Sequence, residues 1–206
     1  MVQTGLGLTP YEIIDELCNF TDEDTTITTD VGQHQMWTAQ RYQFEKPYTF
    51  LTSGGLGTMG YGMGAAIGSC IAEAGRRTVL ITGDGSFGMN LNEMATAVSN
   101  QLPLVIIIMN NGVLGMVRQW QTLFYHKHYS QTTLHRKTDF VKLAEAFGGK
   151  GARAYNHQEL RDALEAAFHY DGPFIIDCVI DMDEMVLPMI PPGGTMNDVI
   201  TEVEVK

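Results

Sequence analysis

The sequence predicts an α/β fold, a doubly wound and mostly parallel sheet with helices on both faces. Three observations point to it. Strand-like and helix-like segments alternate along the 206 residues. Several strand segments, "TVLITG" from Thr78 and "LVIIIMN" from Leu104 among them, are apolar on both faces, as strands of a sheet covered on each side must be. Glycine-rich turns stand beyond strand ends, where such sheets bind ligands.

Each element has a local reason. Thr9, Pro10 and Glu12 form a capping box with proline at the first helical position, and Ile13, Ile14 and Leu17 give the helix an apolar face. "TTITTD" (25–30) is β-branched and reads as a strand. "VGQHQMWTAQRY" reads as a helix and "YTFLTS" as a short strand. Gly54 to Gly68 carries seven glycines and leads into the small-residue helix "GAAIGSCIAEA", able to sit close to a sheet or a cofactor. The strand 78–84 ends in a glycine turn, and "NLNEMATAVSN" is the next helix. The strand 102–110, the helix "VLGMVRQWQTLFY" and a polar, irregular stretch from His126 to Lys137 follow. "DFVKLAEAFG" is a helix stopped by Gly148, "KGARAY" a strand, and Asn156 with Glu159 caps the helix "HQELRDALEAAFHY". "FIIDCVID" is the last buried strand. No repeat or linker divides the chain. Residues 1–184 are expected to form one cofactor-sized domain, and 185–206, rich in proline and glycine, an arm of it.

With a formal net charge of -11 and no basic run, the chain is not expected to bind nucleic acid. Cys18, Cys70 and Cys178 form no C-x-x-C pair and read as free buried thiols of a reducing compartment. The N-terminus lacks the basic start and apolar run of a signal peptide. No apolar stretch approaches the ~18 residues of a membrane span. A cytoplasmic location without membrane contact is expected.

The pattern G-x-G-x-x-G occurs twice, as "GLGTMG" (55–60) and "GDGSFG" (83–88). The first follows a strand and precedes a helix, with Asp84 ending the next strand, which suits a dinucleotide fold. That reading leaves Asn110 and Asn111 unexplained. The second hit suggests a different chemistry. An aspartate in a diphosphate-binding turn repels the anion, unless a divalent cation sits between them. Mg²⁺ takes about six hard oxygens, which Asp84, an asparagine amide, a backbone carbonyl, phosphate oxygens and water can supply. Adjacent parallel strands would bring Asp84 and Asn111 side by side. Plain structural readings, a helix N-cap and a turn after a strand, stand beside this one.

G-D-G, a helix, a strand and then N-N is the signature of thiamine diphosphate enzymes. "TTDVGQHQMWTAQ", "TSGGLGTMGYGMGAAIG", "GDGSFGMNLNEMATA", "MNNGVLGMVRQWQTLFY" and "VLPMIPPGG" together resemble the C-terminal cofactor domain of acetolactate synthase (acetohydroxyacid synthase) large subunits, over nearly the whole chain. The resemblance implies that Asp84 and Asn111 ligate Mg²⁺ through their side chains and Val113 through its carbonyl. It places Val31, Gly32, Gln33, His34, Gly85, Ser86, Leu114 and Gly115 at the diphosphate end of thiamine diphosphate. It assigns the Gly57 carbonyl to the aminopyrimidine, Met59 to the bend of the cofactor, Met116 to the thiazolium and substrate, and Trp120 to the substrate pocket. One departure is Met63-Gly64, where the family often has Leu-Pro; proline would rigidify a helix start, so glycine there implies a looser one without a change of function.

The implied reaction condenses two 2-oxo acids with loss of CO₂, pyruvate with pyruvate or with 2-oxobutyrate. In that family a glutamate on an N-terminal domain of a partner protomer activates the cofactor, and a middle domain binds FAD. Neither domain fits in 206 residues, so no residue here is expected to activate the cofactor, and the chain alone is expected to be inactive. A homo-oligomer is expected, with self-association through apolar surface that partner domains cover. The alternatives are another thiamine diphosphate-dependent 2-oxo acid decarboxylase or oxidase, and a non-catalytic module that binds a phosphorylated ligand.

Overall fold

A computed structural model describes residues 7–203 apart from Ala74 and Arg136. The outer ends of the expected domain and arm, 1–6 and 204–206, lie outside the described residues. Six strands form one sheet: β1 (Thr26–Thr29), β2 (Phe50–Leu51), β3 (Thr78–Gly83), β4 (Leu104–Asn110), β5 (Lys150–Ala154) and β6 (Phe174–Val179). Their order is β2-β1-β3-β4-β6-β5 and every neighbouring pair is parallel. The chain leaves β1 toward one edge, crosses back over it, and continues toward the other edge from β3. The winding therefore reverses between β1 and β3, the switch point at which open α/β sheets bind ligands.

Among the described residues eight helices cover the sheet: α1 (Pro10–Cys18), α2 (Gln33–Arg41), α3 (Tyr61–Ala72), α4 (Asp84–Asn90), α5 (Met94–Ser99), α6 (Gly115–Phe124), α7 (Phe140–Phe147) and α8 (His157–Phe168). The alternation of strand side chains explains the two layers. Val79 and Ile81 of β3, Val105 and Ile107 of β4, and Ile176 of β6 join Ile14, Leu17, Trp37 and Leu164 in one core. Leu80, Ile106, Ile108 and Ile175, one residue out of step, join Met63, Phe87, Ala97 and Phe140 in the other.

Local signals act as expected at most helix ends. Thr9 Oγ1 accepts from the Glu12 amide while the Glu12 carboxylate accepts from the Thr9 amide. Asn156 accepts from the Glu159 amide, and Gly148 ends α7 in the left-handed region at φ 95°. The small residues of α3 serve the sheet: a Cβ at Gly62 would stand 2.7 Å from Leu80 Cδ1 and 2.9 Å from the Asp30 amide nitrogen.

Two expectations are corrected. The chain does not run as a glycine turn from Gly83 to a helix at Asn90. It becomes helical at Asp84, and a 3-10 turn (Leu91–Glu93) joins α4 to α5. Gly83 still has extended backbone, so the strand passes into the helix without a loop. Second, the helix expected from Gly64 starts at Tyr61, after Gly60 in the left-handed conformation, so Gly64 lies inside its first turn.

The expected arm is rooted in the body. Val186 is fully buried in the first core, and Met189 pairs with Ile200 in an antiparallel bridge.

Candidate active site

Because all strands are parallel, the segments that follow β1, β3 and β4 emerge at one edge of the sheet. Thr29 pairs with Ile81 and Gly83 with Met109, so Asp84 and the Asn110-Asn111 pair leave neighbouring strands at the same level. A cavity of about 190 Å³ opens there. Val31, Gly32, Gln33 and His34 line it from the start of α2, Asp84, Gly85 and Ser86 from the start of α4, and Asn111 with Val113 to Met116 from the start of α6. Met59 reaches it from the glycine-rich turn, its Cε 3.8 Å from the position of a Cβ on Gly85.

The asparagine pair divides its work. Asn110 donates from Nδ2 to Asp177 Oδ1 at 2.9 Å and belongs to the sheet. Asn111 faces the cavity, its Oδ1 accepting from the Val113 amide at 3.1 Å. Asp84 is buried in the cavity wall as the first residue of α4. Ser86 donates its hydroxyl to the Val31 carbonyl at 2.7 Å, tying α4 to the loop after β1. Asp30 accepts from the Gly60 and Val31 amides at 2.7 and 3.2 Å, and its carboxylate organises the turn into α3. Burial raises its pKa, against those amide hydrogen bonds.

His34 shows what the cavity asks of a ligand. Burial pushes its imidazole down to about 3, so the ring is neutral, and Nε2 has no hydrogen-bond partner. The ring fills the space beside two glycines: a Cβ on Gly32 would lie 2.8 Å from Cε1, and one on Gly83 would lie 3.0 Å from Nδ1. Gly32 also has φ 155°, which side chains rarely adopt. Gln33 Oε1 is a second buried orphan, and a Cβ on Gly115 would stand 1.9 Å from it. Neither α2 nor α6 has a side-chain cap at its N-terminus, so first-turn amides of two helices of nine and ten residues open toward one cavity.

Among the described residues no lysine or arginine lines this cavity. The described lining residues supply one carboxylate, amides, a hydroxyl, a neutral imidazole and helix N-termini. A divalent cation between Asp84 and a bound anion would reverse the sign of their interaction. Among the described residues no three His, Cys, Asp or Glu side chains gather as a metal site. A metal at Asp84 must therefore take amide, carbonyl and ligand oxygens, which is the hard-oxygen preference of Mg²⁺.

Two expected residues stand apart. Gly57 lies in an exposed turn at φ 63°, where its amide donates to the Ser53 carbonyl at 3.1 Å. Trp120 lines a larger neighbouring groove of about 710 Å³ with Phe124 and Tyr125. Met116 and Val117 border both spaces. Sequence reasoning missed Gln119, buried beneath this groove, and Asp177, fully buried in β6. A charge inside "FIIDCVI" was the available signal for the second; an amide in an amphipathic helix gave none for the first.

A switch-point cavity with paired helix N-termini, one acid and one facing asparagine is the kind of site at which open α/β sheets bind ligands. Comparison with known proteins makes the class specific. Residues 30–178 match the family described as thiamine pyrophosphate enzyme, C-terminal TPP binding domain, and the chain belongs to that family. Acetolactate synthase isozyme 2 large subunit of Escherichia coli is 43% identical over 191 residues, 93% of this chain and 35% of that protein. A probable acetolactate synthase large subunit of Methanocaldococcus jannaschii is 45% identical over 184 residues, 89% of this chain and 31% of that protein. The chain thus spans about a third of the length of these relatives. The thiamine diphosphate-dependent 4-hydroxybenzoylformate decarboxylase of Rhodococcus jostii RHA1 superposes with a TM-score of 0.81 at 24% identity, over 89% of this chain and 34% of that one, and shares the fold.

Proposed function

We propose that the chain is the cofactor-holding part of an acetolactate synthase, which condenses pyruvate with pyruvate or 2-oxobutyrate and releases CO₂. What supports this reading is the likeness at 43–45% identity to acetolactate synthase large subunits across most of the chain. The observation that carries the cofactor reading is the cavity at the switch point, with Asp84 and Asn111 on adjacent strand ends and the starts of α2, α4 and α6 around it. Asp84, Asn111 and the Val113 carbonyl would hold Mg²⁺, and the metal with the α2 and α6 N-termini would hold the diphosphate. Gly32, Gly85 and Gly115 keep the backbone close to it, and Ser86 holds the β1 loop in place. Met59 would support the bent cofactor, with the Gly57 carbonyl at its aminopyrimidine.

Bound thiamine diphosphate supplies an electron sink for the carbon that loses CO₂. The chain's residues orient the cofactor, and Met116 and Trp120 would shape the space for the second 2-oxo acid. Activation of the cofactor is assigned to a carboxylate outside this chain, contributed by further domains of a partner protomer, with FAD in the full enzyme as a possibility the family allows. The domain alone would bind cofactor and not turn over.

Titration calorimetry tests this. Thiamine diphosphate should bind with Mg²⁺ and not in EDTA. Asp84→Asn should weaken Mg²⁺-dependent binding by about 100-fold, the upper end of what even an outer-shell change costs. Equal binding with and without metal would refute the reading.

A further inference from the structure

Helix α6 is mounted the wrong way round for an ordinary surface helix. Of its ten residues only Gln119 is buried, at 2% exposure. Val117 and Trp120 are 48% and 38% exposed and, with Phe124, lie on the side away from Gln119, over the larger groove. Met116, one turn before Gln119, packs partly buried against the first core, but Val117, Trp120 and Phe124 turn away from it, so apolar burial alone does not set the rotation of this helix about its axis; the hydrophobic effect favours rolling that face inward.

Polar bonds oppose the roll. Gln119 Oε1 accepts from Gln33 Nε2 and from the Val186 amide, both at 2.9 Å, and Gln119 Nε2 donates to the Val186 carbonyl at 2.9 Å. These bonds sit in a seam. The four consecutive carbonyls of Glu184, Met185, Val186 and Leu187 accept in turn from Gln33, Trp37, Gln119 and Tyr11. Segment 184–187 is thereby fastened to α1, α2 and α6 at once. Gln119 is the α6 member of the seam and also bonds the cavity residue Gln33. Arg118 adds a bond from Nε to Asp183 at 2.9 Å just before it.

We propose that Gln119 is a positioning residue that sets the rotation of α6 and so aims Met116 and Trp120 at the site. Its role in catalysis rests on the acetolactate synthase reading, but its effect on geometry does not. Replacing Gln119 by an apolar residue of like size removes these three bonds and a fourth, from Gln119 Nε2 to Met189 Sδ at 3.3 Å. It leaves Gln33 with the Glu184 carbonyl alone and lets the apolar face turn toward the body.

The test uses the chain labelled with fluorotryptophan, which carries two indoles, Trp37 and Trp120. The Trp120 ¹⁹F line is assigned with Trp120→Phe, and its broadening by a soluble gadolinium chelate reports exposure. In Gln119→Met the broadening should fall by about twofold, as the apolar face leaves water. Gln119→Glu keeps the acceptor oxygen and loses the donor, so it should fall between the two; it decides the matter if Gln119→Met does not fold by circular dichroism. Unchanged broadening would overturn the proposal. So would increased broadening with loss of helical signal, because Gln119 would then hold α6 folded rather than oriented. No cofactor is present in this measurement, so its failure is distinct from a failure of cofactor binding in calorimetry.

Discussion

At the scale of single residues, the site is governed by what lies beside glycine and by what burial does to charge. Gln33 Oε1 occupies the space that a side chain on Gly115 would need. Gly115→Ala should therefore displace Gln33 and cost about 1–3 kcal/mol, the usual penalty of overpacking. Thermal unfolding measures the stability, and calorimetry should show weaker thiamine diphosphate binding in the same variant. His34 makes stability depend on pH. Its folded pKa of about 3 lies below the ordinary value of 6.5, so the unfolded chain binds the extra proton. Stability is then fully present above about pH 6.5 and falls as pH drops toward 3, by about 1.4 kcal/mol per unit from this group. Denaturant titration of the wild type and of His34→Gln across that window should show the slope in the first and its loss in the second.

At the scale of elements, the ends of β4, β5 and β6 are locked by a buried charge. Asp177 is fully buried in β6, accepts from Asn110 on β4, and pairs with Arg153 Nε on β5 at 2.8 Å. Arg153 continues to Asp139, the cap of α7, at 2.9 Å. Removing the arginine leaves a carboxylate in the core with only an amide donor. Arg153→Met should cost about 3–5 kcal/mol, and adding Asp177→Asn should return most of it. Chemical denaturation of the single and double variants gives both numbers. This lock stands directly behind Asn111, so the turn that carries the expected metal ligand rests on three cross-linked strands.

At the scale of the molecule, the outward face of α6 is exposed apolar surface of the kind that partners cover. Val117, Trp120 and Tyr125 are exposed beside a groove of about 710 Å³. Concentrated chain should self-associate through this surface. Static light scattering across a concentration series checks it, and a constant monomer mass counts against it. Among the described residues no helix is long and apolar enough to cross a membrane.

Much of this architecture is determined by sequence alone, because the information is local. The period of apolar residues marks β3, β4 and β6, and caps such as Thr9 and Asn156 depend on neighbours three residues away. Glycines at 83 and 85 and an asparagine after the next strand likewise announce one shared edge, since parallel neighbours must end together. Only the tertiary structure decided the rest. It made Gly83-Asp84 a direct strand-to-helix passage, turned Asn110 to the sheet and Asn111 to the cavity, and committed Asp30 to the start of α3. It also placed Gln119 under α6, bonded to Gln33 and to Val186. These outcomes depend on partners tens of residues away, and a buried amide or carboxylate takes its role from whichever donor or acceptor the folded chain brings within hydrogen-bond reach.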